Sequence, residues 1–324
     1  MKKRVFIVAL GGFTLFCACI SKSRPTSAVT TAAAEYSCGD SVTPKELPLP
    51  AVPSSLTSPE ERAGYIIAHF WDWMDFCDTL RSHDRTFMEQ NFVNYISLFP
   101  HVKQEALAPN IRAFLKAAAA DSIALGLVND FAEHYFDDPN SPMRDEAYYI
   151  LFLEELLRQL NLSEHDRIRP TYRLEMARKN RPGKIAANFV YTDRMGNRRT
   201  LHTTRGKRLL LLFYDPACSH CSEILDGLRK SPILGRLIAA KELTVLAVYT
   251  EGDRKLWNET KVNMPKEWNV AIDESNIVER GLYSLPAMPI IYLLDKNKKV
   301  ILKDPTPAQL EVFASNEVQI NSLQ

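Results

Sequence analysis

The stretch with the most chemistry in this sequence is Cys218-Ser219-His220-Cys221. Two thiols three positions apart on a helix lie on one face, close enough to open and close a disulfide. The flanking residues fit that use. Leu209-Leu210-Leu211-Leu212-Phe213-Tyr214 is a continuous apolar run of strand character, Asp215-Pro216-Ala217 breaks it, and helical sequence follows. A cysteine at that junction opens a helix, where unpaired N–H groups and the helix dipole favour a thiolate. Cys218 is therefore read as the attacking thiol and Cys221 as the resolving one. His220 is read in two ways. As a cation or donor it would favour the Cys218 thiolate and make the disulfide a stronger oxidant; otherwise it is a solvated helix residue.

Other uses of two cysteines fit less well. Half of a zinc site needs two more ligands, yet no second cysteine pair or His-x-His cluster follows, and His202 stands alone. A static disulfide is rarely placed on so tight a helical turn. A peroxidatic cysteine would need a Pro-x-x-x-Thr/Ser-x-x-Cys setting, which the residues before Cys218 do not supply. The expected activity is disulfide exchange, with no cofactor and no metal.

The N-terminal residues say where that chemistry would occur. Met1-Lys2-Lys3-Arg4 is a basic lead, Val5 to Phe16 is almost wholly apolar, and Phe16-Cys17-Ala18-Cys19 follows. The pattern resembles the lipobox of bacterial lipoproteins, which implies a signal segment over 1–19 and a lipid on Cys19 that holds the chain to a membrane. Phe16 stands where leucine is usual, Cys17 is a rival site, and an ordinary cleaved signal or an uncleaved anchor are the alternatives. Residues 20–57 are rich in Ser, Thr, Ala and Pro and read as a flexible tether. Lys22 and Arg24 with no nearby acid favour the periplasmic side of the bacterial envelope over the cell exterior. That compartment is oxidising and permits disulfides. Cys38 and Cys77 could bridge tether and body, although Cys77 reads better as a buried free thiol on an apolar stripe. The whole chain has 40 basic and 39 acidic residues, a net charge of +1, which argues against nucleic-acid binding.

Two bodies must carry the dithiol. From 58 to 180 the pattern is helical throughout. Ser58-Pro59-Glu60-Glu61 forms a capping box, and Ile66, Phe70, Trp73, Cys77 and Leu80 form one stripe at spacings of three and four. Helices are expected over about 84–98, 103–120 and 121–136, another beginning at Ser141-Pro142 with Ile150, Leu153, Leu157 and Leu160 on its buried side, and a last one from Ser163 to Asn180. The aromatic cluster His69 to Trp73 reads as packed core rather than a binding groove. Asp137-Asp138-Pro139-Asn140 hints at calcium, but Pro142 stands where an oxygen ligand is needed, so it reads as a loop. From 182 to 315 strands and helices alternate. Strands are expected at Phe189–Thr192, Arg198–His202, Leu209–Tyr214, Leu243–Tyr249, Val270–Asp273, Ile290–Leu294 and Val300–Lys303, with helices from Cys218, near 253–260 and over Pro307–Phe313.

Three landmarks in order, Gly183…Ala186-x-Asn188-Phe189, the strand into Cys218-Ser219-His220-Cys221, and Met288-Pro289-Ile290-Ile291-Tyr292-Leu293-Leu294-Asp295, make 182–315 similar to the membrane-tethered TlpA/ResA-type thiol–disulfide oxidoreductases. The resemblance implies an α/β thioredoxin fold behind an all-α domain. It also implies that Pro289 is cis and faces the dithiol, exposing the Met288 backbone for pairing with a substrate chain. This chain departs from that family at Ala217 and Tyr214, where tryptophans are usual, and in having Ser-His between the cysteines. In the helical part, Glu61-Arg62-Ala63-x-Tyr65…His69-Phe70-Trp71-Asp72 and Ser141-Pro142-x-Arg144-x-Glu146-x-Tyr148 resemble a domain of unknown function that precedes thioredoxin-like domains in envelope lipoproteins.

The expected partners are envelope proteins bearing disulfides or thiols, an electron donor or acceptor, and the membrane through Cys19. The redox direction stays open. A second reading makes the helical domain the working part, recruiting a partner or ligand, with the thioredoxin fold as a redox-sensitive scaffold.

Overall fold

The computed structural model describes residues 46–322, with side chains described as far as residue 316. The described residues belong to one compact unit. Helices come first: α1 (Pro59–His69), α2 (Thr79–Ser82), α3 (Arg85–Ile96), α4 (Gln104–Ala118), α5 (Ser122–Phe136), α6 (Glu146–Leu157) and α7 (Glu164–Ala177). Strands β1 (Val190–Asp193), β2 (Arg198–Thr200) and β3 (Arg208–Tyr214) follow, then α8 (Ser219–Lys230) and α9 (Pro232–Ala239). After β4 (Leu243–Tyr249) and α10 (Arg254–Thr260) come β5 (Asn269–Asp273), β6 (Ile290–Asp295), β7 (Val300–Lys303) and α11 (Pro307–Ser322). The fold is thus an α/β thioredoxin-like half preceded by an all-helical half.

The helical half has an aromatic core. Trp71 stacks on Phe114 with ring centroids 4.4 Å apart, and Phe92, Tyr95, Phe131 and Phe152 fill the space between α3, α4, α5 and α6. The α1 capping box forms: Ser58 Oγ accepts from Glu61 N, and Glu61 accepts from Ser58 N. The expected stripe beyond it does not form. The helix stops at His69; beyond it Asp75 accepts from Cys77 N and holds a turn, and Asp78 accepts from Leu80 N and caps the short α2. Phe70, Trp71, Met74 and Phe76 enter the core, whereas Trp73, Cys77 and Leu80 face solvent. Cys77 is therefore an exposed thiol, not a buried one; its suggested partner Cys38 lies outside the described residues. Leu160 is likewise exposed, beyond the end of α6.

The last part of the expected tether is packed rather than free. Leu47 is buried, and its N–H donates to Asn91 Oδ1 at 2.7 Å. A second difference concerns α6. It begins at Glu146 rather than Ser141, because Asp145 Oδ1 accepts from both Ala147 N and Tyr148 N and so caps the helix there. Residues 139–144 are left as a loop.

Among the described residues the sheet has seven strands in the order β2-β1-β5-β4-β3-β6-β7. β3, β4 and β5 run parallel; β6 and β7 on one side, and β1 and β2 on the other, are antiparallel. Both faces of β3 are covered. Leu210, Leu212 and Tyr214 pack with α8, α9 and α11, and Leu209, Leu211 and Phe213 pack with Phe189 and Tyr283. That double burial explains the uninterrupted apolar run. The helix α9 falls between the sequence-predicted elements, and α11 runs nine residues past its predicted end at Phe313.

Polar contacts join the halves. Lys303 Nζ donates to Glu146 and to the carbonyls of Ala177 and Lys179 at the end of α7. Lys179 Nζ reaches Gly281 O, Asn180 Nδ2 reaches Leu282 O, and Arg144 pairs with Asp304.

Candidate active site

β3 is the central strand that delivers the dithiol. It ends at Tyr214, and Asp215 stops it: its Oδ1 accepts from Ala217 N at 2.9 Å, and its carbonyl accepts from Cys218 N at 3.2 Å. This turn sets Cys218 as the N-cap of α8, with extended backbone angles of φ −86° and ψ 118°. Its sulfur takes the capping place usually filled by an oxygen and accepts from Cys221 N at 3.3 Å. One of the orphan donors at the helix start is thereby aimed at the sulfur.

The two thiols are free and have different surroundings. Cys218 is half-buried, at the edge of the apolar layer. Cys221 is fully buried within it, near Tyr214. Burial, opposed by a backbone hydrogen bond at Asp215 and helped by contact with Cys218, pushes the Cys221 thiol up to about 12. Cys221 therefore stays a protonated thiol at neutral pH.

Opposite the dithiol lies the Met288-Pro289 bond, which is cis. It leads into β6, which pairs antiparallel to β3 with Phe213 opposite Ile290. The Cys218 thiol points at Met288 O, 3.9 Å away. Cys218, Cys221 and Pro289, separated by some seventy residues in sequence, are thus brought to one end of the sheet. His220 does not join them in the same way. Its side chain is 65% exposed, and Nδ1 faces Glu223 Oε2 at 3.8 Å. Among the described residues no hydrogen bond links the ring to Cys218. Ala217 is exposed, which leaves the flank of Cys218 open. Cys19 lies outside the described residues.

Three residues that bear on the site were not singled out by sequence reasoning as functional. Asp215 reads as a strand breaker, yet it orders the turn that presents Cys218. Asn140 and Arg144, from the loop before α6, line a cleft of about 230 Å³ together with His220, Met288 and Pro289. No local pattern announces that contact, because the residues that meet there are about 75 to 150 apart in the chain. Among the described residues no group of three or more His, Cys, Asp or Glu side chains gathers as metal ligands, and no helix is long and apolar enough to cross a membrane.

Comparison with known proteins fits this geometry. Residues 19–180, half of the chain, match the model of a domain of unknown function, DUF5106. The C-terminal part is 31% identical over 142 residues to the thiol-disulfide oxidoreductase ResA of Bacillus cereus, covering 40% of this chain and 75% of that protein. It is 29% identical over 141 residues to ResA of Bacillus anthracis, with the same coverage. A solved thioredoxin-like protein from Bacteroides caccae is 37% identical and superposes with a TM-score of 0.77, over 83% of this chain and 98% of that one. A helical DUF5106 domain followed by a cysteine-capped helix on a thioredoxin-like sheet places this chain in the DUF5106 family and, through its C-terminal half, among the ResA-type thiol–disulfide oxidoreductases.

Proposed function

We propose that this protein exchanges disulfides with polypeptides of the bacterial envelope through Cys218 and Cys221, held at the membrane by a lipid on Cys19. The observation that carries the reading is the asymmetry of the dithiol. One sulfur sits half-exposed at a helix N-terminus beside a cis-proline backbone, and the other is buried directly behind it.

The reaction follows from that asymmetry. The Cys218 thiolate attacks one sulfur of a substrate disulfide; a Cys218–substrate bond forms, the substrate S–S bond breaks, and the departing thiolate takes up a proton from water. The Cys221 N–H, 3.3 Å from the Cys218 sulfur, stabilises the charge that sulfur carries before attack and on leaving. Cys221 then attacks Cys218: the Cys218–Cys221 bond forms, the Cys218–substrate bond breaks, and the Cys221 proton passes through water to the departing second substrate sulfur. The substrate has gained two electrons and the protein holds the Cys218–Cys221 disulfide. The high proton affinity of Cys221 keeps it from attacking early, so the mixed disulfide has time to form. Pro289 and Met288 border the path of the substrate chain, and the Met288 carbonyl accepts a backbone donor from it.

Reduction is the direction we favour. His220 lies against Glu223 in solvent, where electrostatic influence on the Cys218 sulfur is screened. The lipid on Cys19 is supported by the basic lead, apolar run and Phe16-Cys17-Ala18-Cys19 before and at it.

Two measurements test this reading. Equilibrated with glutathione, the protein is expected to show a potential near that of thioredoxin, about −270 mV; a value near the strong oxidant DsbA, about −120 mV, would reverse the direction. In cells, Cys221→Ala should accumulate mixed disulfides with envelope proteins, and their absence would remove polypeptides as substrates.

A further inference from the structure

The cleft beside the dithiol has walls from both halves of the molecule. Pro139, Asn140 and Arg144 come from the loop before α6; Ile224 comes from α8; Met288 and Pro289 come from the loop before β6. The same Met288 carries the carbonyl that the Cys218 thiol approaches. A chain bonded to Cys218 would pass over this cleft.

The loop is held in place from several sides. Asp138 Oδ1 accepts from Asn140 N at 2.8 Å, Ser141 Oγ donates to Tyr135 O at 2.7 Å, and Asp145 N donates to Phe136 O at 3.2 Å. Across the cleft, Arg144 donates to Asp304 Oδ2. That ion pair spends the charge of both groups on each other, and the rest of the lining is mixed: Pro139, Ile224, Met288 and Pro289 give an apolar side, with Asn140, His220 and Thr306 as its polar rim. Its size is also informative. A cavity of ~150 Å³ lined by apolar side chains accepts a benzene-sized guest, and this cleft is about 230 Å³. It therefore has room for one leucine- or phenylalanine-sized side chain.

We propose that the 139–144 loop of the helical domain is a wall of the substrate site, and that the cleft selects the residue flanking the substrate's cysteine, preferring a compact apolar side chain. This rests on the disulfide-exchange reading above. It gives the helical domain a part in substrate choice, and makes the preferred partner a disulfide-bearing polypeptide with an apolar neighbour beside the reacting cysteine. Asn140 and Arg144 act here as specificity-determining and positioning residues, not catalytic ones.

The test uses the full chain and symmetrical peptide disulfides whose cysteine is flanked by glycine, leucine or phenylalanine. The wild-type protein is expected to show kcat/KM for the leucine peptide about tenfold above the glycine peptide, the scale of discrimination an apolar pocket supplies. Asn140→Trp, at an exposed loop position, should fill the cleft and bring that ratio close to one. Ile224→Ala should widen it and move the preference toward phenylalanine. Equal rates for the glycine and leucine peptides in the wild-type protein, or an unchanged ratio in both variants, would overturn the proposal while leaving disulfide exchange intact. Failure to reduce any of the peptides, or a small aromatic disulfide, would remove the exchange reading and this proposal with it.

Discussion

At the scale of single residues, Cys218 and Cys221 lie one turn apart on the same helix and differ in what surrounds them. Cys218 has an open flank, since Ala217 stands where a bulky neighbour would cover it. Cys221 is sealed in the apolar layer, and burial holds its proton to about 12. Limited alkylation of the reduced protein at pH 8 should therefore modify Cys218 and spare Cys221, read as the mass of the peptide that contains both; equal labelling would contradict the assignment. The same raised value fixes a sign. An unfolded thiol ionises near pH 8.5 while the folded Cys221 keeps its proton, so this group's contribution to stability is complete below about pH 8.5 and is lost as the pH rises toward 12. A reduced Cys221→Ala variant should lack that part of the alkaline slope in denaturant titrations.

At the scale of elements, the join between the helical and α/β halves is polar. Lys303 on β7 meets Glu146 at the start of α6 and two carbonyls at the end of α7. Burial lowers the Lys303 ammonium and raises the Glu146 carboxyl despite their mutual attraction. The pair fixes how the elements meet more than it adds net stability. Removing one member is nevertheless costly, because it strands the other. Lys303→Met should destabilise by about 3–5 kcal/mol in urea unfolding. Glu146→Gln, which keeps an acceptor for Lys303, should cost distinctly less; equal losses would mean that charge, not hydrogen bonding, holds the join.

How much of this was legible in the sequence depended on the range of the interaction. The capping box at Ser58, the apolar run of β3 and the turn before Cys218 are local, and each is written in adjacent residues. The start of α6 misled because two capping signals compete within five residues: Ser141-Pro142 has the better sequence pattern, and Asp145 makes the bonds. The stripe from Phe70 to Leu80 misled because periodicity does not register that Asp75 and Asp78 prefer their own backbone. The cleft wall at Asn140 and Arg144 was out of reach, since its partners at Met288 and Asp304 meet it only once both halves have folded.

At the scale of the whole molecule, the proposed function joins a reducing dithiol on the thioredoxin-like sheet to a helical domain whose loop walls the neighbouring cleft. The segment around Leu47 is docked on α3 before the first helix begins. The central claim is that electrons leave through Cys218. It is tested most directly by the rate at which the full chain, kept reduced by dithiothreitol, reduces the interchain disulfides of insulin. The account predicts turnover by the wild-type protein above the dithiothreitol background and a fall to that background in Cys218→Ser. Insulin reduction by Cys218→Ser at the wild-type rate would contradict it.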